Sequence, residues 1–311
     1  MASVRRFGKE EKMKTRVLFA AVVSLLLTRG YAQTTDADVA ADKSPHKSGF
    51  VKVNGVRLHF LDWGGNGDWL LLLTGSGDDA HIFDSFAPKL IEGFHVVGLT
   101  RRGFGESDKP RTGYDTGTLV EDVRGFLDAM KITSVAIVGH SVAGTEYPGR
   151  VTKLVYLDAA YDYTCKAGTE PVTWETSSLP TAALAENSSA FDPWTVLNKE
   201  SDLYHPTYSK VRVPALAIYS PPERHPEKPW NATPERRKEM DAWWLRNRYP
   251  CTRSSIEQFR KDMAQGKIVE LQKGWHYVFM LPTEDEVAHR TREFLLSDKL
   301  KSPKGRLTNA R

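Results

Sequence analysis

Residues 134–144 read Ser-Val-Ala-Ile-Val-Gly-His-Ser-Val-Ala-Gly. The apolar run ending at Val138 is short and unbroken, as expected of a strand buried on both faces of a sheet. Small residues, Gly139 and Ala143, stand two before and two after Ser141. A tight turn out of a strand crowds the backbone and admits only small side chains at those positions, while lifting the central hydroxyl clear of the sheet. A serine hydroxyl is a weak nucleophile at neutral pH and needs that exposure together with an adjacent base. A glycine-rich turn whose serine merely caps a helix would use similar residues. The buried strand before it and the small residues around it make Ser141 the candidate nucleophile.

Working outward, the same rhythm of strand, turn and helix fills the chain. Asn54-Gly55 separates the alternating runs Phe50–Val53 and Val56–Leu61, a strong hairpin signal. Short apolar strands follow at Trp69–Leu73, Phe94–Leu99, Ser134–Val138, Leu154–Leu157, Pro214–Tyr219 and Lys267–Leu271. Helices are expected over Ile82–Ile91, Thr116–Met130, Pro234–Arg248 and Glu284–Leu296. The pattern predicts an α/β protein, a mostly parallel eight-stranded sheet with helices on both faces. Residues 161–210 break the rhythm, being rich in Thr, Ser, Pro and Ala with scattered aromatics. In such sheets ligands bind beyond the carboxyl ends of the strands, where every candidate site residue falls.

This order of motifs resembles the α/β-hydrolase superfamily over about residues 49–296. Arg102-Gly103-Phe104-Gly105-Glu106-Ser107 is similar to the superfamily's loop after its fourth strand, and Leu71-Leu72-Leu73-Thr74-Gly75-Ser76 to its apolar run before the oxyanion loop. The resemblance implies an oxyanion hole built from the backbone N–H groups of Ser76 and Val142. Thr74 replaces the usual histidine without removing a backbone donor. The resemblance also implies a lid at about 161–210, where Trp174, Phe191, Trp194 and Tyr204 would pack the lid or, with Trp243 and Trp244, line an apolar pocket.

Of nine histidines, His276 alone lies just past the last strand and before the closing helix, which resembles the family's histidine loop. His140, His225 and His289 read as packing or surface residues. Two carboxylates compete to orient the imidazole: Asp158, at the end of the sixth strand and preferred, and Glu223, after the seventh. Relatives carry about two more helical turns between the nucleophile and the segment Tyr147-Pro148-Gly149-Arg150. The helix after Ser141 is therefore expected to be a stub covering less of the central strands.

The expected activity is hydrolysis of an ester or lactone of a small apolar substrate through an acyl-enzyme. A ligand-binding pseudoenzyme, a cofactor-free haloperoxidase and a carbon–carbon hydrolase are the alternatives. Within the superfamily, dehalogenases and epoxide hydrolases use an aspartate nucleophile, and Ser141 speaks against them. Neither a metal-ligand pattern, a phosphate loop nor a dinucleotide fingerprint is present, so no metal and no cofactor is expected.

The ends carry targeting and tail signals. Lys12, Lys14 and Arg16 precede the apolar run Val17–Leu27 and the small-residue site Gly30-Tyr31-Ala32. Residues 1–32 thus read as a signal peptide, followed by a linker over 33–48. The run is too short for a stable membrane span, which needs about 20 apolar residues. The 311-residue chain has a formal charge of +4. Seven Lys/Arg against two Asp/Glu lie in residues 1–32, so without them the charge is about −1. That balance gives nucleic-acid binding no support, and a small-molecule substrate is the expected partner. Residues 297–311 form a basic tail. Cys165 and Cys251, the only cysteines, can pair if the protein is exported, to the periplasm or beyond.

Overall fold

The Asn54-Gly55 turn forms as expected, because both residues adopt the left-handed φ that this tight turn requires, 47° and 77°. It joins strands β1 (Lys47–Val53) and β2 (Val56–Gly64), whose antiparallel register pairs Val53 with Val56. The structure, a computed structural model, describes residues 44–144, 149–165, 191–201, 204–225 and 233–297. The expected signal peptide, most of the linker, the greater part of the 161–210 segment with Trp174, and the basic tail beyond Ser297 lie outside the described residues.

The remaining strands are β3 (Asn66–Leu73), β4 (Glu92–Leu99), β5 (Val135–His140), β6 (Val151–Leu157), β7 (Ala215–Tyr219) and β8 (Gly266–Glu270). They form one sheet in the order β1-β2-β4-β3-β5-β6-β7-β8, parallel from β4 onward. Side chains alternate between two apolar layers, as strand geometry demands. Leu71, Leu73, Ile137 and Tyr156 face helix α1 (Thr116–Ala129) and a second helix, Tyr249–Asp262. Leu70, Leu72, Val138 and Leu157 face the closing helix Glu284–Leu296. Between the latter two helices and α1 lie α2 (Pro193–Ser201) and α3 (Pro234–Asn247). In chain order Tyr249–Asp262 is α4 and Glu284–Leu296 is α5.

Three features bear on what the sequence suggested. The helix expected at Ile82–Ile91 is two short 3₁₀ turns, Ala80–Phe83 and Ala87–Lys89. Pro88 lacks an N–H and its ring clashes with the preceding turn, so an α-helix cannot run through it. Helix α4 has only Ile256 and Phe259 as large buried apolar residues, too sparse a stripe to stand out in the sequence. Its Pro250 lies in the first turn, where the missing N–H has no partner to lose.

The third is the shortened segment after Ser141, which was expected to be a stub. Ser141–Gly144 is one 3₁₀ turn, and β6 begins at Val151. The central strands are nonetheless fully covered, with Ile137 0% and Tyr156 1% exposed. Tyr208 and Phe259 belong to the same apolar layer, and their rings meet edge-on at 5.2 Å. The Tyr208 hydroxyl donates to the Ala160 carbonyl, which fastens this cover to the loop after β6.

Cys165 and Cys251, 86 positions apart in sequence, form a disulfide with Cα atoms 5.7 Å apart. It ties the segment after β6 to the first turn of α4. Closing a loop of that length removes denatured-state entropy equivalent to about 4–5 kcal/mol in the chain-entropy account. Among the described residues no helix is long and apolar enough to cross a membrane.

Candidate active site

Ser141 leaves β5 with φ of 54°. A left-handed conformation on a residue with a side chain stores about 1–3 kcal/mol of strain and persists only where the surroundings impose it. The imposing neighbour is the 74–79 loop after β3. A Cβ built on Gly75 would stand 3.1 Å from Ser141 Cβ and 2.9 Å from His140 Nδ1. The two loops pack so closely that only glycine fits at position 75. The two residues expected to supply oxyanion donors, Ser76 and Val142, belong to these adjoining loops.

One strand over, Asp158 follows β6, also with a left-handed φ, 46°, and is 2% exposed. Its Oδ1 accepts hydrogen bonds from the Ser220 backbone N–H at 2.7 Å and the Tyr161 hydroxyl at 2.9 Å. Its Oδ2 lies 2.7 Å from His276 Nδ1. Burial works to raise this carboxyl, but the hydrogen bonds and charge of His276 and the Ser220 bonds outweigh it and hold the group below the ordinary carboxylate value. The group is therefore an anion that accepts three donors. An ionised carboxylate only accepts, so His276 carries its proton on Nδ1 and keeps the Nε2 lone pair free.

His276 is held from behind as well. It lies in the loop between β8 and α5, where Trp275 Nε1 donates to the Leu281 carbonyl at 3.1 Å. His140 Nε2 donates to the His276 carbonyl at 3.3 Å, and the two imidazole rings lie 4.5 Å apart. His140 is wholly buried, and that burial lowers its pKa, so it is a neutral strut behind the turn. Tyr277 donates from its hydroxyl to Asp78 Oδ1 at 3.0 Å, joining the histidine loop to the 74–79 loop. His225 packs against Trp244 and His289 is exposed, in keeping with their reading as packing and surface residues.

Glu223, the competing carboxylate, is exposed in the turn after β7 and makes no contact with His276 among the described residues. The β7 end contributes the Ser220 N–H to Asp158, and Pro221 and Pro222 after it line the same cavity as His276. Sequence reasoning missed Tyr161 and Tyr163. Tyr163 shares a side-chain hydrogen bond with Ser141, and burial raises its pKa so that it stays a neutral phenol. Their alternation after Asp158 was the available signal, hidden because the segment has no regular structure.

Ser141 and His276 open onto a cavity of about 270 Å³. Trp244, Pro221 and the Cys165–Cys251 bridge form part of its wall. The other aromatics expected there lie elsewhere. Phe191 packs near Tyr114, with ring centroids 6.0 Å apart, and Trp194 is 40% exposed. Tyr204 lines a separate small pocket, and Trp243 is half-buried in α3. Among the described residues no group of three or more His, Cys, Asp or Glu side chains is placed to hold a metal.

A serine on a strained turn after a parallel strand lies in the same cavity as a carboxylate-bound histidine, on an eight-stranded α/β sheet. The model of the alpha/beta hydrolase family matches residues 70–290, and the chain belongs to that family. A non-heme chloroperoxidase of Streptomyces lividans is 35% identical over 112 residues, 33% of this chain and 41% of that protein. The chain spans under half the length of the curated relatives it matches. Among solved structures, a bacterial membrane phospholipase A matches 92% of this chain and 99% of its own with a TM-score of 0.61 at 21% identity. The enol-lactonase of Burkholderia xenovorans matches 79% and 99% with a TM-score of 0.56 at 20% identity. At these identities the structures share the fold alone.

The geometry separates the two carboxylates in a direct experiment. Asp158→Asn should lower turnover of an activated ester by about 10⁴-fold, because the amide favours the wrong imidazole tautomer. Glu223→Gln should stay within about threefold of the parent. Steady-state kinetics on both variants checks this, and the reverse order would reassign the acid.

Proposed function

We propose that the protein is a serine hydrolase that cleaves an ester or lactone bond of a small, largely apolar substrate through an acyl-enzyme. The observation that carries this reading is the 2.7 Å contact of His276 Nδ1 with buried Asp158, in the cavity that also exposes Ser141. In this reading His276 Nε2 takes the Ser141 proton as Oγ attacks the carbonyl carbon. The N–H groups of Ser76 and Val142 hold the oxyanion. The imidazolium, stabilised by Asp158, then protonates the departing alkoxide, and a water deprotonated by His276 releases the acid. The Ser141 hydroxyl turns from Tyr163 toward His276 when the carbonyl enters. The family likeness to an enol-lactonase and to a chloroperoxidase supports the choice of class without selecting the substrate.

Ser141→Ala and His276→Ala should each reduce kcat on p-nitrophenyl esters by at least about 10³-fold, since members of such a unit fail together. Retention of most activity in either variant would end this mechanism.

We also propose that the enzyme is exported. The charged-apolar-small order of residues 12–32 and the Cys165–Cys251 bridge support it, because disulfides persist in oxidising compartments. N-terminal sequencing of the protein recovered from outside the cytoplasm should begin near Gln33, with both thiols resistant to alkylation until reduced. An intact Met1 or Met13 on cytoplasmic protein would contradict export.

A further inference from the structure

The cavity at Ser141 carries a charge pattern that hydrolysis alone does not require. Four of its lining side chains are formally charged at neutral pH: Asp158, Asp162, Arg224 and Arg248. Both acids are already supplied with donors. Asp158 accepts from His276, Ser220 and Tyr161. Asp162 accepts from the Thr164 backbone N–H at 2.9 Å and faces His205 Nδ1 at 2.9 Å. The two arginines differ. Among the described residues neither guanidinium forms an ion pair or a side-chain hydrogen bond, although the chain carries 39 Asp/Glu. Arg248 is half-buried at the end of α3, and its backbone N–H is fixed to the Trp244 carbonyl at 2.9 Å. Its charge reaches the Tyr163 phenol, which in turn contacts Ser141. Arg248, Tyr163 and Ser141 line the same cavity. Arg224, exposed in the turn after β7, adds a second positive group on the same cavity.

A guanidinium presents a planar fork of five donors that fits the two oxygens of a carboxylate. Placed beside a nucleophile, it holds a substrate by an end that takes no part in the reaction and so aligns the scissile carbonyl. We propose that the substrate carries a free carboxylate a few bonds from the carbonyl that Ser141 attacks, and that Arg248, assisted by Arg224, binds it. This inference rests on the hydrolase reading above and adds the chemistry of the acyl chain, a short apolar link ending in an anion.

Two measurements on the full-length mature protein test it. The first compares kcat/KM for p-nitrophenyl monoglutarate with that for p-nitrophenyl pentanoate, five-carbon acyl chains that differ in the terminal carboxylate. The anionic ester should be preferred by about ten- to a hundredfold, the scale of one charged hydrogen-bonded contact. Arg248→Gln should lower that ratio at least tenfold, and Arg248→Lys should restore part of it. A ratio at or below one in the parent, or a ratio unchanged in Arg248→Gln, overturns the proposal. The second measurement needs no turnover. Glutarate should raise the Tm of the Ser141→Ala protein more than sodium chloride of equal ionic strength does, and Arg248→Gln in that background should abolish the difference. Equal shifts with glutarate and chloride overturn the carboxylate site. Turnover of the neutral ester alone would leave hydrolysis standing and reject only the anion. Two inert esters with a glutarate shift intact would reject hydrolysis and keep the anion site.

Discussion

The active cavity depends on one buried carboxylate. Asp158 lies 2% exposed at the end of β6 and gathers donors from three separate parts of the chain: the β7 end, the segment after β6 and the loop before α5. A buried anion without such donors costs several kcal/mol, so each partner is held in place by the cost of leaving it. Asp158, like Ser141, has a left-handed backbone. Strand β6 sits directly beside β5, with His140 in register with Leu157. Asp158 and Ser141 therefore project from neighbouring strand ends.

That arrangement explains why a short segment after Ser141 is compatible with an intact site. The turn needs β5, the small residues beside the serine and the close approach of Gly75, all of which are present. The helix that relatives place after the turn mainly covers the sheet. Here Tyr208 and Phe259 take over that role and leave Ile137 and Tyr156 buried. The site and the sheet cover are thus separable demands, met by different parts of the chain.

Much of this was legible in the residues. Unbroken apolar runs mark strands buried on both faces, and the left-handed tolerance of Asn54-Gly55 marks the hairpin, so both follow from local chemistry. Ser141 and His276 stood out because each sits at a strand's end in a distinctive setting. The choice between Asp158 and Glu223 was not local. Both follow strands, and which one reaches the imidazole depends on where the fold brings the loop between β8 and α5. Helix α4 was hidden by its narrow apolar stripe, whereas the pairing of the two cysteines was open in the sequence and depended on export. Arg224 and Arg248 carry no signal in the sequence, and only the fold brings them to one cavity.

The central claim is that Asp158 and His276 make the Ser141 hydroxyl nucleophilic. A fluorophosphonate reacts only with an activated serine, and peptide mass spectrometry locates the adduct. The account predicts stoichiometric labelling on the peptide that carries Ser141, at a rate that collapses by orders of magnitude when His276 is replaced by alanine. An unlabelled Ser141, an adduct on another residue, or equal labelling rates with and without His276 would contradict it.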